Sequence, residues 1–262
     1  MKRLRAALWM ETLKVRRTKI FAISIYFFLF IGVMMGMFMY LSMHPEVASR
    51  SSTVQMKTAF VGGSDWKAFY NLLLQIILTV GVIGSGVITS WVFGREFSDR
   101  ALKDILAIPV HRSTIVLSKL IVLVAWSVLL AVAVLVAAML TGFAIRLPDW
   151  TPVEFFPFLK MYLVCMALNI LLITPVAFVA SAGRGYILPI SFVILIMILT
   201  QLFFVGLPGL SIWFPWALPG LVSSVAGLLV PTPVTASYLL YTLTVIAGVF
   251  GTMAWWRFAD HK

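Results

Sequence analysis

The chain has 262 residues, of which 62% are hydrophobic and 11% charged, with a formal net charge of +11 and a mean hydropathy of +1.05. Soluble domains carry about 25% charged residues to cover their surfaces, so this composition excludes a water-soluble enzyme and predicts a multi-span membrane protein. The single cysteine excludes an intrachain disulfide scaffold. The length allows roughly six or seven crossings of about 20 residues each, which leaves no room for a separate soluble catalytic domain.

The N-terminal stretch, residues 1–19, carries Lys2, Arg3, Arg5, Lys14, Arg16, Arg17 and Lys19 beside one acid, Glu11. Leu4, Leu8 and Val15 share a helical face, whereas Trp9 and Leu13 fall elsewhere, so the apolar stripe is imperfect. The preferred reading is an interfacial helix held by anionic lipid; the alternative is a plain positive-inside signal. The apolar run that follows is too long for a secretory signal core and reads as a retained anchor.

Continuous apolar runs at 20–43, 69–93, 115–143, 158–182, 186–207 and 235–258 predict six transmembrane helices, because backbone facing lipid must satisfy its own hydrogen bonds. Barrel strands would alternate instead. The expected fold is thus an all-α integral membrane protein with a single transmembrane domain, 1–262. Fifteen of the 20 Lys and Arg residues fall on the N-terminus, the C-terminus and alternate loops, which places both termini in the cytoplasm. An even number of spans independently requires the two termini to share a side.

Span centres contain no Asp, Glu, His or Arg, and Lys119 and Lys160 sit near span ends, where they can snorkel. This argues against a proton-coupled carrier, an intramembrane protease and a voltage sensor, and no metal site is expected. Gln75, Asn169, Thr174, Thr200 and Gln201, with Ser85 and Ser90, are the neutral polar groups at depth. Hydrogen bonding between helices, worth about 1 kcal/mol each, is the preferred reading. Substrate contact is the alternative, with Gln75, Asn169, Thr200 and Gln201 as pathway candidates. The methionines at 34, 35, 37, 39 and 43 read as packing rather than a copper(I) site. Gly32 and Gly36 predict a close helix approach, within one chain or across a dimer. No P-loop occurs, so energy for any transport comes from outside this chain or there is none, and a cytoplasmic partner is the best candidate for its source.

The segment 94–114 is the densest in charge after the N-terminus. Ala101, Leu102, Ile105, Leu106 and Ile108 share one helical face, and Asp99, Arg100, Lys103 and Asp104 take the other. Ser98 is a plausible N-cap, Asp99 and Lys103 can pair, and Pro109 marks a stop. Ser113 or Thr114 is expected to cap the third span. The helix is either a connector resting on headgroups or a coupling helix seated in a partner. In the second case the contact residues are Glu96, Ser98, Asp99, Arg100, Leu102, Lys103, Ile105, Leu106, Pro109 and Arg112.

Residues 208–234 carry no charge and are rich in proline and tryptophan. That combination predicts a pair of short helices dipping into the outer leaflet. Pro208, Trp213, Pro215, Trp216 and Pro219 are outer-gate candidates; an interfacial loop that merely packs is the alternative.

Glu96, the run Leu106-Ala107-Ile108-Pro109-Val110-His111-Arg112, and Lys119 together resemble the permease subunits of type 2 ATP-binding-cassette exporters. The chain is most similar to the small six-span permeases of bacitracin and lantibiotic efflux and immunity systems. The entry into span one, Met10-Glu11-Thr12-Leu13-Lys14-Val15-Arg16-Arg17-Thr18-Lys19, resembles them too. Arg100-Ala101 departs from the Gly-Thr often found there. The resemblance implies two permease chains, as a homodimer or paralogous heterodimer, with two separate ATPase subunits that hold ATP and Mg. It also implies docking of the loop helix on the ATPase, an elbow-like N-terminal helix and a re-entrant outer hairpin between spans five and six.

The expected function is export or extraction of a lipophilic or amphipathic substrate across a bacterial inner membrane: an antibiotic peptide, a drug or a lipid. The chain itself is not expected to be an enzyme, and its expected partners include membrane lipids but not nucleic acid. A non-transporting membrane scaffold or sensor is the alternative; a lipid-modifying enzyme is disfavoured by the uncharged interior.

Overall fold

A computed structural model describes residues 2–44, 46, 63–98, 111–224 and 231–258. Helix α1 (Lys2–Arg16) precedes α2 (Lys19–Met43), α3 (Trp66–Ser98) and α4 (Arg112–Ala144). The fourth span is broken into α5 (Pro152–Leu171) and α6 (Ile173–Ala182), and α7 (Ile187–Val205) follows. Two 3-10 turns, Pro208–Trp213 and Pro215–Ala217, lead into the short α8 (Leu218–Ser223), and α9 (Thr235–Phe258) closes the chain. Six spans are long and apolar enough to cross a membrane, and no strand occurs among the described residues. The chain is a multi-pass, all-α membrane protein.

Helix α4 runs through the middle of the bundle, against α1, α2, α3, α5 and α9. Its closest neighbour is α2, and glycines permit the approach. A Cβ on Gly32 would lie 2.6 Å from the Ala137 Cβ, and one on Gly36 would lie 2.6 Å from the Thr141 Cβ. The G-x-x-x-G of α2 is therefore spent within one chain. Met35 and Met39 are buried on the same side of α2, where they pack in the core, whereas Met37 is exposed.

The break in span four has a local cause. Pro175 lacks an N–H and frees the Leu171 carbonyl one turn earlier. The Thr174 hydroxyl lies 3.1 Å from that carbonyl and 3.0 Å from the carbonyl of Val245 on α9. Gly248 lets α9 close on the kink, since a Cβ there would sit 2.5 Å from the Pro175 nitrogen.

Each end of the bundle has its own clasp. At one end the buried Trp66 indole donates to the Leu147 carbonyl at 3.0 Å, and its ring packs 4.8 Å from that of Phe143. At the other end lie α1, the end of α3, the start of α4 and the end of α9. The α6–α7 turn joins them there, because the backbones of Gly94 and Gly185 approach so closely that a Cβ on Gly94 would lie 2.9 Å from the Gly185 carbonyl oxygen. Arg95, Arg112, Lys119, Arg184 and Arg257 thus belong to a single end, together with the basic α1.

Helix α4 starts slightly earlier than expected. His111 is its N-cap residue and makes no side-chain cap bond; the His111 carbonyl accepts from the Thr114 amide at 2.9 Å. Ser113 and Thr114 therefore sit inside the first turn and do not cap it.

Candidate functional site

At the basic end, four charged side chains from three helices close a ring. Lys119 Nζ on α4 lies 2.6 Å from Glu96 Oε1 on α3 and 3.1 Å from Glu11 Oε2 on α1. Lys14 Nζ lies 2.9 Å from Glu11 Oε1 and 3.2 Å from Glu96 Oε1. Each cation thus bridges both anions. Lys119 is 1% exposed, Glu11 3% and Glu96 4%. Burying one ion without partners would cost several kcal/mol, so the alternation of two cations and two anions is what permits the burial.

The expectation that Lys119 snorkels is therefore corrected. Its ammonium turns inward because two carboxylates meet it there, one of them delivered by α1. Burial by itself would raise the Glu11 carboxyl, but the Lys119 and Lys14 ammoniums outweigh it and hold the group below its ordinary value. Burial would likewise lower the Lys14 ammonium, and Glu11 and Glu96 raise it instead.

Glu11 also explains the imperfect stripe of α1. The buried positions are Ala7, Glu11 and Val15, spaced by four, so the centre of the packed face is a carboxylate. Trp9 points the other way and is 65% exposed. One acid among seven N-terminal cations, in phase with Ala7 and Val15, was the available signal for this contact.

The ring is continuous with a second junction. Lys119 Nζ lies 5.9 Å from the centre of the Phe93 ring, and Phe93 meets the fully buried Trp256 edge-on at 6.3 Å. The Trp256 indole N–H lies 3.0 Å from Ser181 Oγ on α6. Arg112 Nη1 donates to the Trp256 and Arg257 carbonyls at 3.1 and 3.2 Å, which satisfies acceptors left open at the end of α9. Five helices are thereby joined at one end: α1, α3, α4, α6 and α9.

Of the expected partner contacts, Glu96 and Arg112 make these internal bonds, and Ser98 closes α3. Asp99, Arg100, Leu102, Lys103, Ile105, Leu106 and Pro109 lie outside the described residues. Both helices that flank 99–110 end in the junction, through Glu96 on one side and Arg112 and Lys119 on the other.

The segment 208–224 packs against α3, α5, α7 and α9. Pro208 and Pro215 open the two 3-10 turns, and Trp213 is 56% exposed. Ala217, Leu218, Pro219 and Leu221 are buried, and the Pro219 carbonyl lies 3.7 Å from Cys165 Sγ. The Trp216 ring meets that of Phe192 at 5.9 Å. Phe192 lies roughly 20 Å along the axis from the Val205 end of α7 at 1.5 Å per residue.

Trp216 also borders a void of about 10 Å³ together with Ser85 and Asn169. A second void of about 20 Å³ lies on the other side of the same two residues, against Phe28 and Ser127. The Asn169 side-chain amide donates to the Ile77 carbonyl at 2.9 Å, which ties α5 to α3. Thr200 bonds back to the Ile196 carbonyl of its own helix. Gln75 and Gln201 are exposed on the bundle surface. The structure thus brings Asn169 and Trp216 together and leaves Gln75, Thr200 and Gln201 apart from them.

Residues 7–201 match the model of the family described as ABC-2 family transporter protein. The chain belongs to that family. This permease is also 28% identical, over 195 residues, to the bacitracin transport permease protein BCRB of Bacillus licheniformis, covering 74% of this chain and 92% of that one. No solved structure matches it. The permease is accordingly a transmembrane subunit of an ABC transporter, and the family as a whole implies an ABC ATPase partner. All four members of the charged ring fall inside the matched region, whereas the segment 208–224 and α9 follow it.

Proposed function

We propose that this permease forms the membrane part of an ATP-driven exporter and moves or extracts an amphipathic substrate of the antibiotic-peptide, drug or lipid kind. The observation that carries the reading is the charged ring, which fixes both helices flanking residues 99–110 to each other and to α1. A push on that segment reaches α3 through Glu96 and α4 through Lys119, and passes to α6 and α9 through Phe93 and Trp256. In this reading the basic end faces the cytoplasm of a bacterial cell, in keeping with the positive-inside rule. Residues 99–110 form the helix that docks on the ATPase, with ATP and Mg held by that partner.

Two permease chains work together in this proposal. Gln75 and Gln201 lie on the packed neighbours α3 and α7 yet are exposed at membrane depth. Amide side chains facing hydrocarbon are unfavourable, and a second chain or a substrate path between the chains covers them. The segment 208–224 serves as a re-entrant outer gate: its Trp216 reaches far down α7 and closes on the void beside Asn169. The bacitracin transport named for the relative supports an antibiotic-peptide substrate.

The test is co-purification of the permease with ATPases encoded beside it, for wild type, Leu102→Asp and Leu106→Asp. Both variants are expected to lose the ATPase while still inserting as folded six-span proteins. Full retention of a bound, equally active ATPase would overturn the docking assignment.

A further inference from the structure

A groove of about 640 Å³ opens at the basic end between the first turn of α4 and the last turns of α9. Its volume is that of a small-molecule pocket. Its chemistry is divided. His111, Arg112 and Arg257 supply the polar rim, and among the described residues that line it none is acidic. Phe250, Met253, Ala254, Arg257 and Phe258 follow one another at helical spacing, so a single face of α9 forms the other wall. Phe250 and Phe258 are 66% and 74% exposed.

We propose that this groove binds an anionic phospholipid. Basic pockets between transmembrane helices at the cytoplasmic side recognise anionic headgroups, and here the two guanidiniums lie at a span end, where headgroups are found. Arg112 uses only Nη1 to hold the α9 carbonyls, and a guanidinium carries five N–H donors. The phosphate takes donors from Arg112 and Arg257, and an acyl chain runs along Phe250 and Met253. The groove asks for a ligand that is anionic at one end and apolar at the other. A soluble phosphate satisfies only the first requirement, and a zwitterionic lipid adds a positive charge where two arginines already stand. The bound lipid would bridge α4 and α9 beside the segment proposed to meet the ATPase. The site itself does not depend on that proposal.

The experiment is native mass spectrometry of the full-length, delipidated protein titrated with phosphatidylglycerol, phosphatidylcholine or glycerol 3-phosphate. Phosphatidylglycerol is expected to bind first and saturably, phosphatidylcholine more weakly, and glycerol 3-phosphate is expected not to compete. Arg257→Gln should weaken phosphatidylglycerol binding about five-fold, the loss for one surface cation. Ala254→Trp, which fills the groove without changing charge, should weaken both lipids. Lys67→Gln, an equal loss of charge at the opposite end, should change nothing. Equal binding of the two lipids, wild-type affinity in either groove variant, or competition by glycerol 3-phosphate as strong as by the lipid would overturn the assignment.

Discussion

Lys119 Nζ lies 2.6 Å from Glu96 Oε1, with both residues almost inaccessible and 23 positions apart in the chain. This pair joins α3 to α4 on either side of the segment between them, and Glu11 adds α1 from the other flank. Removing Lys119 alone leaves two buried carboxylates with one shared cation. Lys119→Met is expected to cost about 3–5 kcal/mol, whereas Glu96→Gln combined with Lys119→Met removes a balanced pair and costs less. Thermal unfolding in detergent, comparing the single with the double variant, checks the order.

The ring also sets a pH range. Glu11 has a folded value below its ordinary 4.5, so its contribution is complete above about pH 4.5 and is lost as pH falls through the depressed value. Lys14 has a folded value above its ordinary 10.5, so its contribution is complete below about pH 10.5 and is lost as pH rises through the raised one. Between these limits neither group makes the melting temperature depend on pH. Glu11→Gln should shrink the acid-side decline in a pH series of melting curves.

Gly248 and Gly209 give a matched contrast. A Cβ at 248 would meet backbone atoms of Thr174 and Pro175 at 2.5 Å, whereas one at 209 would meet nothing within 4 Å. Backbone at a proline break cannot step aside as a flexible side chain can. Gly248→Ala should cost about 1–3 kcal/mol by overpacking, and Gly209→Ala should leave the melting temperature unchanged.

Arg112 holds the last turn of α9 through two carbonyls. Arg112→Gln should release that turn, at about 1.5 kcal/mol for a partly exposed charged hydrogen bond. Hydrogen exchange of amides 253–258 is expected to quicken by about ten-fold, the equivalent of that energy. Exchange in α2, which Arg112 does not touch, should stay the same.

The spans were legible because each is a long apolar run, and lipid leaves such a run few choices besides a helix. The predicted limits fall within about six residues of the observed ones, the largest offset being at Pro152, six residues before the expected start at 158. The break at Leu172 was missed because Pro175 lies in an otherwise unbroken apolar run. Gly32 and Gly36 signalled close approach, but only the packing of α2 on α4 showed that the partner is internal.

Lys119 was misread for a related reason. Position along a span tells how far a lysine lies from the headgroups, but not what faces it from α1 or α3. Its two partners are separated from it by 108 and 23 residues, so local pattern held no record of them. Asn169 was correctly expected to bond between helices, because a buried amide at depth has little else to do. Its meeting with Trp216 depends on how the segment 208–224 packs on the bundle, which the density of proline suggested only in outline.

The most direct measurement reconstitutes the permease and its ATPase in liposomes and compares ATP hydrolysis with that of the ATPase alone, for wild type and for Glu96→Gln with Lys119→Met. Because residues 99–110 are unchanged in the variant, the ATPase should still bind to it. If the ring carries motion from that segment into α3 and α4, the wild-type complex should alter the ATPase rate and the variant complex should leave it at the rate of the free ATPase. A variant complex that assembles and changes the rate as fully as wild type would contradict the coupling role of the ring.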